Sequence, residues 1–323
     1  MPEPLPCPYN ESMTVRSHPA GRVPALLLAC CAAVFAQDPQ WTAQPFTPAG
    51  SFTSGVEGPA CDAAGNLYAV SFEREGTIGK VTPDGRASVF AVMPDGGRAN
   101  GLRFDSHGDL IAADYVKHIV YRINPKTGAF LESLTADWKG PQFKQPNDVG
   151  IASDDTIYFS DPDWSAATGG GRIFMITKPP HRRTVLLDDN LITPNGITVS
   201  PDDRRVYVGQ SNAHNVLVYD RRPDGTLHNR RVLIDFASAG ITTKAVPDGM
   251  RCDVKGNLYV SMVGLGKLLI VQPDGKLYPH AIQDLGDSPA NVTFCGPDGR
   301  TLYITEKQHG RIEKARAPFP GVR

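Results

Sequence analysis

Six polar residues recur at equivalent points of this 323-residue chain: Glu57, Asn100, Asn147, Asn195, Asp248 and Asn291. Each opens a stretch of one form, in which a polar residue, usually followed by Gly, leads into a short apolar run, a turn and a second apolar run of the Leu-Tyr type. If the six converge, two carboxylates and four amides meet at one place with no Lys or Arg at an equivalent position. Asn and Asp also cap turns by bonding local backbone, which explains any one of them but not Glu57, nor two acids near an enclosed axis without a counter-charge. A divalent cation resolves the difficulty. Carboxylate and amide oxygens are hard ligands, and the adaptable coordination of Ca²⁺ suits a wide ring, with Mg²⁺, Mn²⁺ and Zn²⁺ as other candidates. The ring contains no His or Cys, which weighs against Zn²⁺.

The elements that must position these residues are readable from spacing. The starts lie 43, 47, 48, 53 and 43 residues apart, and a fixed period of this length marks a repeat architecture. Each copy continues with a third strand, such as Ile119-Val120-Tyr121, a turn such as Thr82-Pro83-Asp84-Gly85, and usually a fourth strand, such as Thr184-Val185-Leu186-Leu187. Pro presets one turn dihedral and Gly supplies a positive one. No run of ten or more residues has the 3.6-residue period of a helix. The spacing therefore predicts an all-β chain, a six-bladed β-propeller with four-stranded blades. The last copy is long enough for three strands only, so Trp41–Thr47 is expected to supply its fourth, closing the ring and removing exposed sheet edges.

With the first strand innermost, the second returns toward the ring, and the loop beyond it forms the wall of a pocket. Asn100 and Asn147 of the ring, with Tyr115, His118, Asp161 and Trp164 near those loops, are the expected substrate contacts, a polar and aromatic set suited to a small polar molecule. Four residues after a start stand Cys61, Cys252 and Cys295. Three such cysteines read as buried small hydrophobes rather than a disulfide or metal ligands.

Composition narrows the partners. The chain has 33 basic and 34 acidic residues, a formal net charge of −1 and 41% apolar residues, so nothing provides the basic surplus that nucleic acid or an anionic membrane would need. Residues 13–36 place Arg16 and Arg22 before an apolar run and end in small residues at Ala36, the order of an export signal. That run is too short to span a bilayer. Residues 1–36 are therefore read as a signal region, with Met13 a candidate true start, and 37–323 as one propeller domain, periplasmic or secreted. Leu27-Leu28-Ala29-Cys30 offers a minor alternative, a lipoprotein tether through Cys30.

The motifs Glu57-Gly58-Pro59, Pro194-Asn195-Gly196-Ile197 and Pro247-Asp248-Gly249-Met250, with Pro146-Asn147-Asp148 and Tyr158-Phe159-Ser160-Asp161-Pro162, give the chain a resemblance to a known group of six-bladed propellers. This is the senescence marker protein (regucalcin), gluconolactonase and luciferin-regenerating enzyme family, and the resemblance covers about residues 50–316. It implies a catalytic divalent metal, commonly Ca²⁺, on Glu57, Asn195 and Asp248, with Asn147 as a further ligand or substrate contact and Asp248 as candidate general base. The expected activity is metal-dependent hydrolysis of lactones such as sugar lactones, by water attack on a polarised carbonyl. A related esterase or organophosphate hydrolase is an alternative, as is a non-catalytic propeller that binds a peptide or glycan, although a binding module has no need of acids on its axis. No Gly-x-Ser-x-Gly elbow is present, which removes the usual serine nucleophile.

Overall fold

The computed structural model describes residues 41–322 apart from 167, 180 and 181, so the expected export segment lies outside the described residues. Among the described residues the strands form six antiparallel sheets. The first comprises β2 (Ala60–Cys61), β3 (Leu67–Val70), β4 (Thr77–Val81) and β5 (Ala87–Val92). The second is β6 (Ala99–Phe104), β7 (Leu110–Asp114), β8 (Ile119–Ile123) and β9 (Phe130–Leu134), and the third β10 (Val149–Ile151), β11 (Ile157–Asp161), β12 (Gly171–Ile176) and β13 (Thr184–Leu191). The fourth is β14 (Pro194–Val199), β15 (Arg205–Gln210), β16 (Asn215–Arg221) and β17 (Leu227–Asp235). The fifth holds β18 (Val246–Cys252), β19 (Leu258–Val263) and β20 (Lys267–Val271), and the sixth β21 (Pro289–Cys295), β22 (Thr301–Glu306), β23 (Arg311–Arg316) and the N-terminal β1 (Gln44–Pro45). The architecture is a six-bladed propeller whose innermost strands β2, β6, β10, β14, β18 and β21 stand side by side, with β21 next to β2.

Apolar side chains fill the gaps between adjacent sheets. Tyr207 and Val216 of one blade pack with Met250, Leu258 and Val260 of the next, and Tyr158 and Ile173 pack with Ile197, Val206 and Val208. The tyrosine of the second strand, at Tyr68, Tyr158, Tyr207 and Tyr259, is fully buried. Burial of each such ring stabilises by roughly 2–3 kcal/mol. The period-two alternation of these strands thus serves two interfaces at once, because a blade is covered on both faces.

The expected closure needs correction. No sheet closes on itself, and the fifth blade has three strands rather than four. The N-terminal strand is only two residues long, pairs Gln44 with Lys314 and Pro45 with Glu313, and leaves both residues exposed, so sheet edges remain. Pro45 has no N–H to extend the ladder. The ring is completed instead by packing of β2 against β21, and across that seam a disulfide joins Cys61 to Cys295. The reading of the cysteines as three buried hydrophobes is corrected with it; of the three, Cys252 alone is a free buried thiol. A closed ring puts the first and last repeats side by side, but spacing along the chain does not show that two thiols come within bonding reach across that seam.

Candidate functional site

The recurring polar residues sit where the innermost strands lose regular register. In β6, β14 and β18 the pairing slips between Ala99 and Leu102, between Pro194 and Ile197, and between Pro247 and Met250. Asn100, Asn195 and Asp248 lie inside those bulges, which re-aim their side chains. The Gly that follows has a steric reason. A Cβ on Gly58 would lie 1.9 Å from the Asn100 carbonyl oxygen, and one on Gly196 2.4 Å from the Asp248 oxygen, so the strands converge too closely for any larger residue.

The same geometry corrects the ring. Pro194 pairs with Gln210, Pro247 with Met262 and Pro289 with Glu306, each the residue just before a ring position. The sixth position is therefore Ala290, and Asn291 lies one residue deeper. Its Oδ1 accepts the Val292 N–H at 2.8 Å, as Asp148 Oδ1 accepts the Val149 N–H at 2.9 Å. An extra residue pair in the last hairpin shifts the sixth copy, and an Asn beside the correct site disguises the shift.

At the mouth, Glu57, Asn147, Asn195 and Asp248 are all buried. Glu57 and Asp248 come together around one cation that the sequence reading overlooked. Lys307 Nζ lies 3.0 Å from Glu57 Oε1 and 3.4 Å from Asp248 Oδ2. Lys307 is the first residue beyond β22, in the very loop class expected to wall the pocket, and its position there was the available signal. The supposed lack of a counter-charge is thereby corrected. Glu57 Oε2 accepts the Gly58 N–H at 3.1 Å. The Asn195 amide donates to Ser211 Oγ at 3.2 Å, and Ser211 in turn donates to the Pro247 carbonyl at 2.8 Å. Burial raises the Asp248 pKa, Lys307 opposes the shift and Glu57 adds to it. Burial works against the Lys307 charge, yet Asp248 and Glu57 together hold its pKa well above the usual lysine range.

These residues fit a divalent ion by one particular sign. Asn147 Oδ1 is buried and has no hydrogen-bond partner, whereas buried polar atoms are ordinarily satisfied. An amide oxygen lacking a donor, at a ring position of a fold in which two ring carboxylates already share a cationic group, is the kind of donor a hard cation uses. Among the described residues no three His, Cys, Asp or Glu side chains cluster as a metal site; this site has two acids, and its remaining oxygens are amides.

The expected substrate contacts divide. Asn100 is half-buried at the mouth, Tyr115 is half-buried, and His118 and Trp164 are exposed on the loops, with the His118 ring against the Lys144 carbonyl and the Trp164 backbone N–H donating to Gln145 Oε1 at 3.0 Å. Asp161 is withdrawn. Its wholly buried carboxylate accepts from Arg172 Nη2 at 2.5 Å and from the Gln145 N–H at 2.7 Å. Asp114 likewise accepts the Arg98, Val116 and Lys117 amides. The acids that end the second strands tie loops down, a task the sequence pattern does not distinguish from facing substrate.

One residue deeper lies a second polar layer. Asp148, fully buried, accepts from Arg251 at 3.0 and 3.2 Å, and Arg103 donates to the Pro59 carbonyl at 3.2 Å. Burial pushes the Asp148 carboxyl up to about 7, against the pull of Arg103. Arg103 and Arg251 also line a cavity of about 750 Å³ with Phe104, Val199 and the Cys61–Cys295 pair. No ring residue lines it, so it is separate from the mouth.

Residues 55–308, well over half the chain, match the SMP-30/gluconolactonase/LRE-like region. The chain belongs to that family. Within it, the chain is 27% identical over 298 residues to the gluconolactonase of Zymomonas mobilis, covering 84% of this chain and 78% of that protein. Two solved structures share the fold. A gluconolactonase from Xanthomonas campestris superposes with a TM-score of 0.70 at 23% identity, covering 85% of this chain and 89% of that one. A calcium-binding regucalcin from Agrobacterium tumefaciens gives 0.71 at 20%, covering 88% and 98%.

Proposed function

We propose that this protein is a divalent-cation-dependent hydrolase of lactones, sugar lactones foremost, with Ca²⁺ the favoured ion. The observation that carries the reading is the meeting of Glu57 and Asp248 at one cationic point, and the partnerless Asn147 oxygen, at another ring position, supports it. Membership of the SMP-30/gluconolactonase/LRE-like family and the likeness to a gluconolactonase support it.

Glu57, Asn147, Asn195 and Asp248 would hold the ion, which supplies Lewis-acid polarisation of the lactone carbonyl. Asp248 has the second role. Burial raises its proton affinity, which suits a carboxylate that takes the proton from attacking water and returns it to the leaving ring oxygen. Ser211 holds the Asn195 amide in place. Asn100, Tyr115, His118 and Trp164 are assigned to the substrate, offering partners to the hydroxyls and the apolar face of a sugar-like ring. Among the described residues no helix is long and apolar enough to cross a membrane. Export through residues 1–36 belongs to the same proposal, and the Cys61–Cys295 disulfide supports an oxidising compartment.

Indicator-monitored hydrolysis of sugar and aliphatic lactones, with bound metal measured on the same sample, tests the reading. Activity that disappears with chelator and returns with Ca²⁺ is expected. Metal-replete protein that hydrolyses none of them would overturn the enzyme reading in favour of a binding propeller.

A further inference from the structure

The Lys307 ammonium and a divalent ion need the same oxygens. Ca²⁺ requires contacts of about 2.3–2.6 Å to its carboxylates, and Lys307 Nζ already stands 3.0 Å from Glu57 and 3.4 Å from Asp248. Two cations cannot occupy that space together, because their repulsion at a few Å in a poorly solvated site outweighs what the shared carboxylates return. The side chains differ in their access to water. The carboxylates of Glu57 and Asp248 are 4% and 9% exposed, whereas the Lys307 side chain is 30% exposed. Its backbone N–H is held by the Ser288 carbonyl at 3.0 Å, so the flexible four-carbon stem can swing outward while the loop stays put.

We propose that Lys307 is a tethered competitor for the metal: it neutralises Glu57 and Asp248 in the cation-free protein and is expelled to solvent when a divalent ion binds. This rests on the cation-dependent reading above. Two consequences follow. The cation-free fold carries no uncompensated pair of buried acids, so it persists without metal. Metal affinity is also weakened by the fraction of molecules in which the ammonium has left; if it is seated nine-tenths of the time or more, the apparent dissociation constant rises about tenfold or more.

Calorimetric titration of chelator-stripped protein with CaCl₂ should show Lys307→Met binding at least tenfold more tightly than wild type. In EDTA the same variant should unfold at a lower temperature than wild type, and saturating Ca²⁺ should abolish that deficit. Affinities within twofold of each other, or a deficit that persists in Ca²⁺, would show that Lys307 serves the fold alone. If neither protein binds Ca²⁺, Mn²⁺ or Mg²⁺, the cation-dependent reading falls and this proposal with it. A measurement on wild type avoids any folding defect of the variant. Amine acetylation read by mass spectrometry should be slow at Lys307 in EDTA and several-fold faster in Ca²⁺, and unchanged or slower labelling in Ca²⁺ overturns the expulsion.

Discussion

Two polar layers lie one residue apart on the axis of this propeller, and they balance charge in opposite ways. At the mouth, Glu57 and Asp248 are compensated by Lys307, a loop residue with partial access to solvent. In the deeper layer Asp148 is compensated by Arg251, which projects from the innermost strand β18 and is itself buried. The first counter-charge can be exchanged and the second cannot. A buried ion pair formed between two strands has nowhere to go, and removing one partner strands the other. Chemistry belongs where the counter-charge can leave, and rigidity where it cannot.

The widest gap between the layers should appear on neutralising one acid in each. Asp248→Asn is expected to lower kcat by about 10²–10⁴ at saturating Ca²⁺, the usual loss for a general base, because an amide oxygen coordinates but does not take up water's proton. Glu57→Gln should instead weaken Ca²⁺ binding first. If excess Ca²⁺ restores Asp248→Asn to wild-type turnover, Asp248 is a ligand only. In the deeper layer Asp148→Ala should cost about 3–5 kcal/mol of unfolding free energy, measured by denaturant titration, and Ca²⁺ should not recover the part lost with the Arg251 pair. Recovery by Ca²⁺ would merge the two layers into one site.

A somewhat smaller effect is expected at the seam bordering the deeper layer. Reduction, or Cys295→Ser, removes a cross-link across 234 residues and should cost roughly 2–5 kcal/mol without altering Ca²⁺ affinity. Equal stability of the reduced and oxidised protein would mean that packing of β2 on β21 suffices.

A slope with pH is expected as well. Asp148, at about 7, and Asp248, Asp161 and Glu313 are raised by burial. A carboxyl raised in the folded state keeps its proton after the unfolded chain has released its own, so stability falls as pH climbs from the unfolded value to the folded one. Carboxyls held low, such as Asp163 at about 2 beside Lys144, have delivered their stabilisation by about pH 5 and stay flat above it. In EDTA the melting temperature should therefore fall between pH 5 and 8. Ca²⁺ should shrink that fall by removing the Asp248 share and leaving that of Asp148. A melting temperature that rises over this range contradicts both assignments.

Much of this was legible in the chain. A period of 43–53 residues and alternating apolar strands determined the blades, because a blade buried on both faces needs the same pattern in every copy. The Asn-Gly and Asp-Gly pairs marked the strand starts, where the structure shows bulges and closely converging strands that leave no room for a Cβ. The tertiary structure alone decided what depends on neighbours around the ring. Cys61 meets Cys295 because the last blade packs on the first. Asn291 drops a level because one hairpin is a pair longer. Asp161 turns from the pocket to Arg172, and Lys307, outside every repeat motif, reaches the two acids of the mouth. Periodicity along a chain records what each repeat does for itself; a disulfide, a register slip or a loop cation acts between repeats, and those distances exist only once the ring has formed.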